Sequence, residues 1–130
     1  ALYYIGEIYS KQNKYEKAIT CFEESYKLNK QVNSNILSAS ILNHLGRIYA
    51  AQKNNDIAII HSREALKIAK KVGAKAEIKD AFQNLYEVYL SIKKTDSALC
   101  YLREWVAVKD SMFNENKYKQ IDQLRANYAI

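Results

Sequence analysis

The chain has 130 residues, no proline and three glycines, and 48% of its residues are hydrophobic. This length fits one domain, and the hydrophobic fraction is ordinary for a globular protein. The composition excludes β-sandwiches and barrels, which need frequent turns rich in Gly and Pro, and no apolar run approaches the ~18 residues of a transmembrane helix. It therefore predicts an all-helical domain, which we expect to be a segment of a larger protein.

The net charge of +6 comes mainly from residues 41–80, which carry eight basic and four acidic side chains. Cations in the last turn of a helix complement the helix dipole, whereas nucleic-acid sites usually add a longer basic stripe or interleaved aromatics. We therefore favour a solvated basic face, with a nucleic-acid-binding surface over Arg63–Lys79 as the alternative. The surplus cations are Arg63, Lys67, Lys70, Lys71, Lys75 and Lys79.

The predicted helices form pairs along the chain. Apolar residues follow helical spacing from residue 2 to residue 9 and again, after a short break, from residue 18 to residue 26. Polar clusters predict the turns within the pairs at 12–14, 53–55 and 93–95. Asn55 and Thr95 are predicted to cap the helices that follow, and Gly73 to end a helix. Because such short connections force neighbouring helices to be antiparallel, each unit is predicted to be a helical hairpin.

The chain also repeats itself with a period of 40 residues. So many matched columns at one shift predict three copies of one unit at about 1–33, 34–73 and 74–110, followed by a segment at 111–130. The clearest columns are Tyr9, Tyr49 and Tyr89; Ala18, Ala58 and Ala98; Glu24, Glu64 and Glu104; and Ile5, Leu45 and Leu85.

The first unit reads Leu2-x-x-Ile5-Gly6-x-x-Tyr9…Ala18-x-x-x-Phe22, and the other two follow it. This pattern resembles the tetratricopeptide repeat, and the resemblance covers about residues 1–110. It implies an all-α fold, a right-handed α-solenoid of three antiparallel helical hairpins plus a C-terminal helix. We expect the two helices of a hairpin to cross closely where small residues meet. These pairs are Gly6 with Ala18, and Gly46 with Ala58.

The sequence departs from the common repeat in three ways, one of which is the absence of its terminal Pro, consistent with longer continuous helices. Its period is 40 residues where the common unit has about 34, which predicts helices longer by more than a turn. In the third unit Tyr86 and Trp105 replace small residues, so this hairpin is expected to pack more loosely or against the segment that follows.

The segment 111–130 is predicted to be a new helix capped by Ser111. Its apolar residues Ile121, Leu124 and Tyr128 have coiled-coil-like spacing, so they could cover the third repeat or pair two copies of the chain. The segment is similar to the one that closes the repeat region in many bacterial signalling proteins. There the repeats precede a long helix and then a histidine kinase or DNA-binding regulator domain.

The resemblance implies that the first helix of each unit lines a concave face. Polar residues on those helices are the candidate partner-binding groove, although a solvated polar face without a ligand stays open. They are Tyr3, Glu7, Lys11, Asn43, Arg47, Gln83 and Glu87, with Ser91 extending the row. Family members that bind C-terminal carboxylates use a clamp of Lys, Asn and Arg. None of the matching positions here is Lys or Arg, which argues against that activity; they are Tyr3, Glu7, His44, Asp80 and Asn84.

No enzyme, metal or cofactor motif is present in the sequence. His44 and His61 lie on different predicted helices, so each is expected to have a structural role, and Cys21 and Cys100 are too few for a disulfide framework. The sequence therefore predicts a non-enzymatic protein–protein interaction module. We expect it to be the sensor or scaffold segment of a larger bacterial signalling or transcription-regulating protein, which binds a peptide, a protein or another copy of itself. The compartment stays open between periplasm and cytoplasm.

Overall fold

A computed structural model describes residues 2–32 and 34–128. Within these ranges the chain forms six α-helices and no strand, which confirms the predicted all-α class. The helices are α1 (Leu2–Lys11), α2 (Tyr15–Val32), α3 (Asn35–Ala51), α4 (Asn55–Val72), α5 (Lys75–Ser91) and α6 (Thr95–Tyr128). Helices α3, α4 and α5 have 17 or 18 residues each, in keeping with the long repeat period.

The helices pair in sequence and stack as hairpins. Each helix contacts the next one along the chain, and α1, α3 and α5 also contact their neighbours of the same kind. In the described part of the chain no such contact joins α2 to α4, or α4 to α6. The first helices of the hairpins are therefore closer together than the second ones, so the stack curves around the inner face formed by α1, α3 and α5.

Apolar residues at the helix contacts form the core. The first cluster joins the first two hairpins through Phe22 and Leu45, and the last joins α4, α5 and α6 through Leu85 and Tyr89. Because the same repeat positions supply residues to successive contacts, one buried layer runs through the stack, as in other repeat proteins.

Three nearly identical turns connect the two helices of each hairpin. In each turn the middle residue has a left-handed backbone conformation, with φ of 61° at Asn13 and 62° at both Lys53 and Lys93. The next backbone N–H donates to a carbonyl five residues back, as in Lys14 to Tyr9 at 2.9 Å, which closes the preceding helix. The turns therefore form at the predicted places without the glycine that such a conformation usually favours.

Two of the predicted caps are wrong. Helix α4 already includes Asn55; Asn54 holds the cap position and makes no side-chain cap bond. Helix α6 likewise begins with Thr95 itself, and the Ala98 N–H donates to the Lys94 carbonyl. Backbone bonds from the preceding helix already order these turns, so a side-chain cap is not needed. Gly73, with φ of 71°, ends α4 as predicted.

The close crossings within the hairpins are present at both glycines. A β-carbon on Gly6 would lie 3.0 Å from Phe22 Cζ, so the Phe22 ring packs directly against this glycine. A β-carbon on Gly46 would lie 2.5 Å from Ser62 Oγ and 3.4 Å from the Ala58 carbonyl oxygen. The nearest neighbour of each glycine is therefore the residue four positions after the small alanine of the repeat, which is Phe22 in the first hairpin and Ser62 in the second. The two helices of each hairpin cross at this level.

The third hairpin uses aromatic packing instead. The rings of Tyr86 and Trp105 stack with their centroids 5.9 Å apart, and the Lys109 ammonium lies 4.6 Å from the centre of the Trp105 ring. Ring stacking thus fills the place that small residues hold in the second hairpin.

No new helix begins at Ser111, because α6 passes through this residue without a break. Lys75, the first residue of α5, donates to Ser111 Oγ at 3.3 Å and pairs with the Glu115 carboxylate. Residues beyond Glu115 therefore extend past the end of α5. Every residue from 113 to 128 is exposed except the partly buried Ile121, so this segment does not cover the third repeat.

Candidate functional site

The inner face carries most of the predicted groove residues. Lys11, Arg47 and Glu87 are exposed on α1, α3 and α5, while Tyr3 and Glu7 are partly buried on α1. Gln83 is also partly buried, and its amide donates to Glu87 Oε1 at 3.2 Å. Six of the seven predicted residues are therefore exposed or partly exposed on α1, α3 and α5.

Asn43 is the exception, because its side chain is buried and cannot line a groove. Its Nδ2 donates to the Glu77 carbonyl at 3.0 Å, and Asn84 Nδ2 donates to the Asn43 carbonyl at 3.0 Å. These reciprocal bonds join α3 to α5 at the level where the two inner helices touch. Asn43 therefore holds the inner face together rather than meeting a partner.

A cavity of about 290 Å³ opens on the inner face between α3 and α5. Arg47 and Glu87 stand at its sides with opposite charges, and Asn84 and Ser91 add polar groups. Alanine and valine side chains supply the rest of the lining, namely Ala50, Ala51 and Val88. A lining that mixes apolar side chains with a few polar groups is common in ligand pockets.

Arg47 makes no ion pair with another described residue. In the described ranges no carboxylate lies within 4.0 Å of its guanidinium, although the sequence places it between Glu7 and Glu87. Glu7 instead lies 3.4 Å from the His44 ring nitrogen Nε2. The guanidinium is therefore free to meet an acceptor from outside the chain.

A partly buried polar cluster joins α1 to α3 beside this cavity. The Tyr3 hydroxyl and His44 Nε2 are 2.9 Å apart, and the His44 ring stacks on Phe22 at 5.0 Å and 4°. Burial, with the nearby Glu7 carboxylate, raises the pKa of Tyr3 to about 12. Burial also lowers the pKa of His44, with a contribution from Arg47, while Glu7 and Asp80 oppose that shift. At neutral pH His44 is therefore an uncharged hydrogen-bonding partner of Tyr3.

Sequence reasoning assigned His44 a structural role but could not place it in this cluster. The contact with Phe22 spans two hairpins, and only the stacking geometry creates it.

We expect acidification from about pH 7.5 to about pH 5.5 to lower the free energy of unfolding. The pKa values of His44 and His61 are both lowered by burial from 6.5, so the unfolded chain binds more protons in this range. Denaturant titrations at the two pH values measure the loss, and His44→Gln should reduce it. Asp80, whose pKa is raised by burial, acts in the opposite direction. A gain of stability on acidification would mean that the Glu7–His44 pair outweighs burial.

The basic surface predicted at Arg63–Lys79 is partly used inside the fold. Arg63 donates to the Tyr89 hydroxyl, Lys70 lies 5.3 Å from the centre of the Phe82 ring, and Lys75 pairs with α6 as described above. Three of the six surplus cations thus have structural partners. These contacts favour the interpretation of a solvated face over a phosphate-binding stripe.

Stacked antiparallel hairpins with their first helices along one face make this chain an α-solenoid of helical repeats. The sequence profile described as tetratricopeptide repeat matches residues 37–111, more than half of the chain, and a second profile of that description matches residues 1–32. The chain belongs to the tetratricopeptide repeat family. Its domains generally mediate protein–protein interaction and are generally non-catalytic scaffolds.

A comparison with curated proteins returns no match. No helix in the described part of the chain combines the length and apolarity needed to cross a membrane.

Proposed function

We propose that this chain is a non-enzymatic interaction module that binds a peptide or protein segment on its inner face. The unpaired Arg47 beside the cavity between α3 and α5 carries the proposal. Its guanidinium and the Glu87 carboxylate are both exposed, so desolvating them needs a ligand with complementary charges. An acidic group opposite Arg47 and a basic or amide group opposite Glu87 would provide these.

The cavity favours one small side chain of that ligand. It is lined by three short apolar residues and four polar or charged ones. An extended segment with an acidic residue near a small apolar one fits this arrangement, because the apolar side chain is buried while the charge reaches Arg47. The other exposed or partly exposed groove residues would contact neighbouring residues of the bound segment. They are Tyr3, Glu7, Lys11 and Gln83.

Selection from a phage-displayed random peptide library tests this assignment. We expect the wild-type chain to enrich acidic peptides, and Arg47→Ala to weaken their binding about tenfold or more, since it removes a charge-assisted contact. Lys67→Ala changes an exposed cation on α4 away from the inner face and is the matched control. Equal binding by the wild type and by the triple variant Glu7→Ala, Arg47→Ala and Glu87→Ala would refute the groove.

We further propose that the module is the sensor or scaffold segment of a larger bacterial signalling or transcription-regulating protein. The support is α6, which leaves the third hairpin as one helix and extends beyond α5. A ligand that shifts one hairpin would alter the next contact and then α6. Reading the parent gene beyond the codon for Ile130 tests this context. A kinase or DNA-binding domain there supports it, and a stop codon at that point contradicts it.

The extended part of α6 is also a candidate for pairing two copies. Leu124 and Tyr128 are exposed and lie on the same side of the helix as the partly buried Ile121. An isolated helical segment of this length is only marginally stable in water, so pairing would stabilise it. The proposed seam is therefore Ile121, Leu124 and Tyr128.

A further inference from the structure

Successive hairpins contact one another through a fixed set of repeat positions. From α4, Ile59 and Leu66 pack against the cluster of Leu85 and Tyr89 on α5, and Arg63 donates to the Tyr89 hydroxyl. The preceding contact is built in the same way, because equivalent residues of α2 meet α3. Ile19 and Tyr26 of α2 pack against the cluster that contains Leu45 and Ile48 of α3. Glu23 of α2 accepts a hydrogen bond at its Oε1 from the Tyr49 hydroxyl, at 3.5 Å.

The same positions recur on α6, where no described helix follows. Leu99 and Val106 correspond to Ile59 and Leu66, and they are 45% and 44% exposed. Arg103 corresponds to Arg63 and is exposed as well. Because α6 contacts α5 alone among the described helices, its outer face is one unpaired half of the contact between hairpins.

Helix α1 presents the other half. Ile5 and Ile8 are 43% and 55% exposed, whereas the equivalent Leu45 and Ile48 on α3 are each 2% exposed. Tyr9 corresponds to Tyr89, the acceptor of the Arg63 bond, and is only partly buried. The outer face of α1 is therefore shaped like the faces that α3 and α5 offer to the preceding hairpin.

We propose that α6 of one copy docks on α1 of a second copy, head to tail. Leu99 and Val106 would cover Ile5 and Ile8, and Arg103 would reach Tyr9 of the next copy as Arg63 reaches Tyr89. A second copy is the fitting occupant because the chain already makes this contact twice, between α2 and α3 and between α4 and α5, so the two exposed faces are complementary by repetition.

The geometry of this contact has two consequences. Its two faces are different, so the association is heterologous and one free end always accepts another copy. Stacking would also continue the inner face from one copy to the next, independently of whether the inner face binds a ligand.

Sedimentation velocity of the chain from micromolar to millimolar concentration tests the proposal. We expect the average mass to rise with concentration, and Ile8→Glu or Val106→Glu to weaken association by at least about tenfold, since each places a charge in an apolar contact. Ile60 is an exposed isoleucine on α4, outside the proposed contact. Ile60→Glu is therefore the matched control and should associate like the wild type.

Mixing the two variants provides the decisive measurement. Ile8→Glu keeps the face of α6 and Val106→Glu keeps the face of α1, so an equimolar mixture should form a 1:1 dimer and nothing larger. Helical circular dichroism of each variant, together with this recovery, shows that both are folded. A monomeric wild type at every concentration, or a mixture that stays monomeric, would overturn the proposal.

The seam on the extended part of α6 gives a different result. A symmetric pairing through Ile121, Leu124 and Tyr128 would leave both Ile8→Glu and Val106→Glu dimeric, and Leu124→Glu would abolish it. Head-to-tail stacking is lost in the first two variants and retained in Leu124→Glu, so the two modes are distinguished by three variants.

Discussion

Replacing Phe22 with alanine is expected to lower the free energy of unfolding by about 3–5 kcal/mol. The ring is fully buried and fills the space left by Gly6, with Phe22 Cζ only 3.0 Å from where a β-carbon of that glycine would be. It also supports the His44 ring, which stacks on it, and meets the Tyr3 ring edge-on at 5.8 Å. Truncation therefore leaves a cavity at the contact between the first two hairpins.

Denaturant unfolding followed by circular dichroism measures this loss. Phe113→Ala is the matched control, because this phenylalanine is exposed on α6 and its loss should change stability by no more than about 0.5 kcal/mol. A loss below about 1 kcal/mol for Phe22→Ala would show that α1 does not pack on α2 as described. A selective loss of signals from the first hairpin would instead locate the damage where the structure predicts it.

Ala58→Leu is expected to cost about 1–3 kcal/mol by overpacking. Ala58 is fully buried on α4, and its carbonyl oxygen lies 3.4 Å from where a β-carbon of Gly46 would be. The added carbons have no free space at this crossing, so the helices must separate or the leucine must adopt a strained rotamer. Thermal or denaturant unfolding gives the magnitude.

The same substitution at Ala107, which is exposed on α6, is the control for Ala58→Leu. Leucine and alanine differ little in helix propensity, so Ala107→Leu should leave stability nearly unchanged. If both variants behaved alike, α3 and α4 would not be in contact at Gly46.

The order of helices and turns could be predicted from the sequence because local rules and the repeat agree. Helical spacing of apolar residues and polar breaks at the same place in each 40-residue unit point to the same hairpins. The left-handed backbone conformation in the three turns was harder to predict, because none of the residues that adopt it is a glycine. These residues are Asn13, Lys53 and Lys93. Backbone bonds across each turn hold them in that conformation, and no side-chain signal reports it.

The groove was harder to predict than the fold. Periodicity places Asn43 and Arg47 on the same side of α3, yet one is buried against α5 and the other is exposed. The difference arises from how closely α3 and α5 approach at each level, which depends on packing across 34 or more residues of sequence. The partners of Arg47 could not be inferred for the same reason, since Glu7 lies beside His44 on the neighbouring helix.

The sequence by itself determined the class of this protein, its family and the order of its hairpins, because a repeated local pattern needs no knowledge of distant contacts. The tertiary structure alone decided which polar residues of the inner helices are exposed, that α6 is one helix from Thr95 to Tyr128, and that the outer faces of α1 and α6 carry exposed apolar residues. Each of these depends on the distance between helices far apart in the chain, and residue spacing along one helix does not encode that distance.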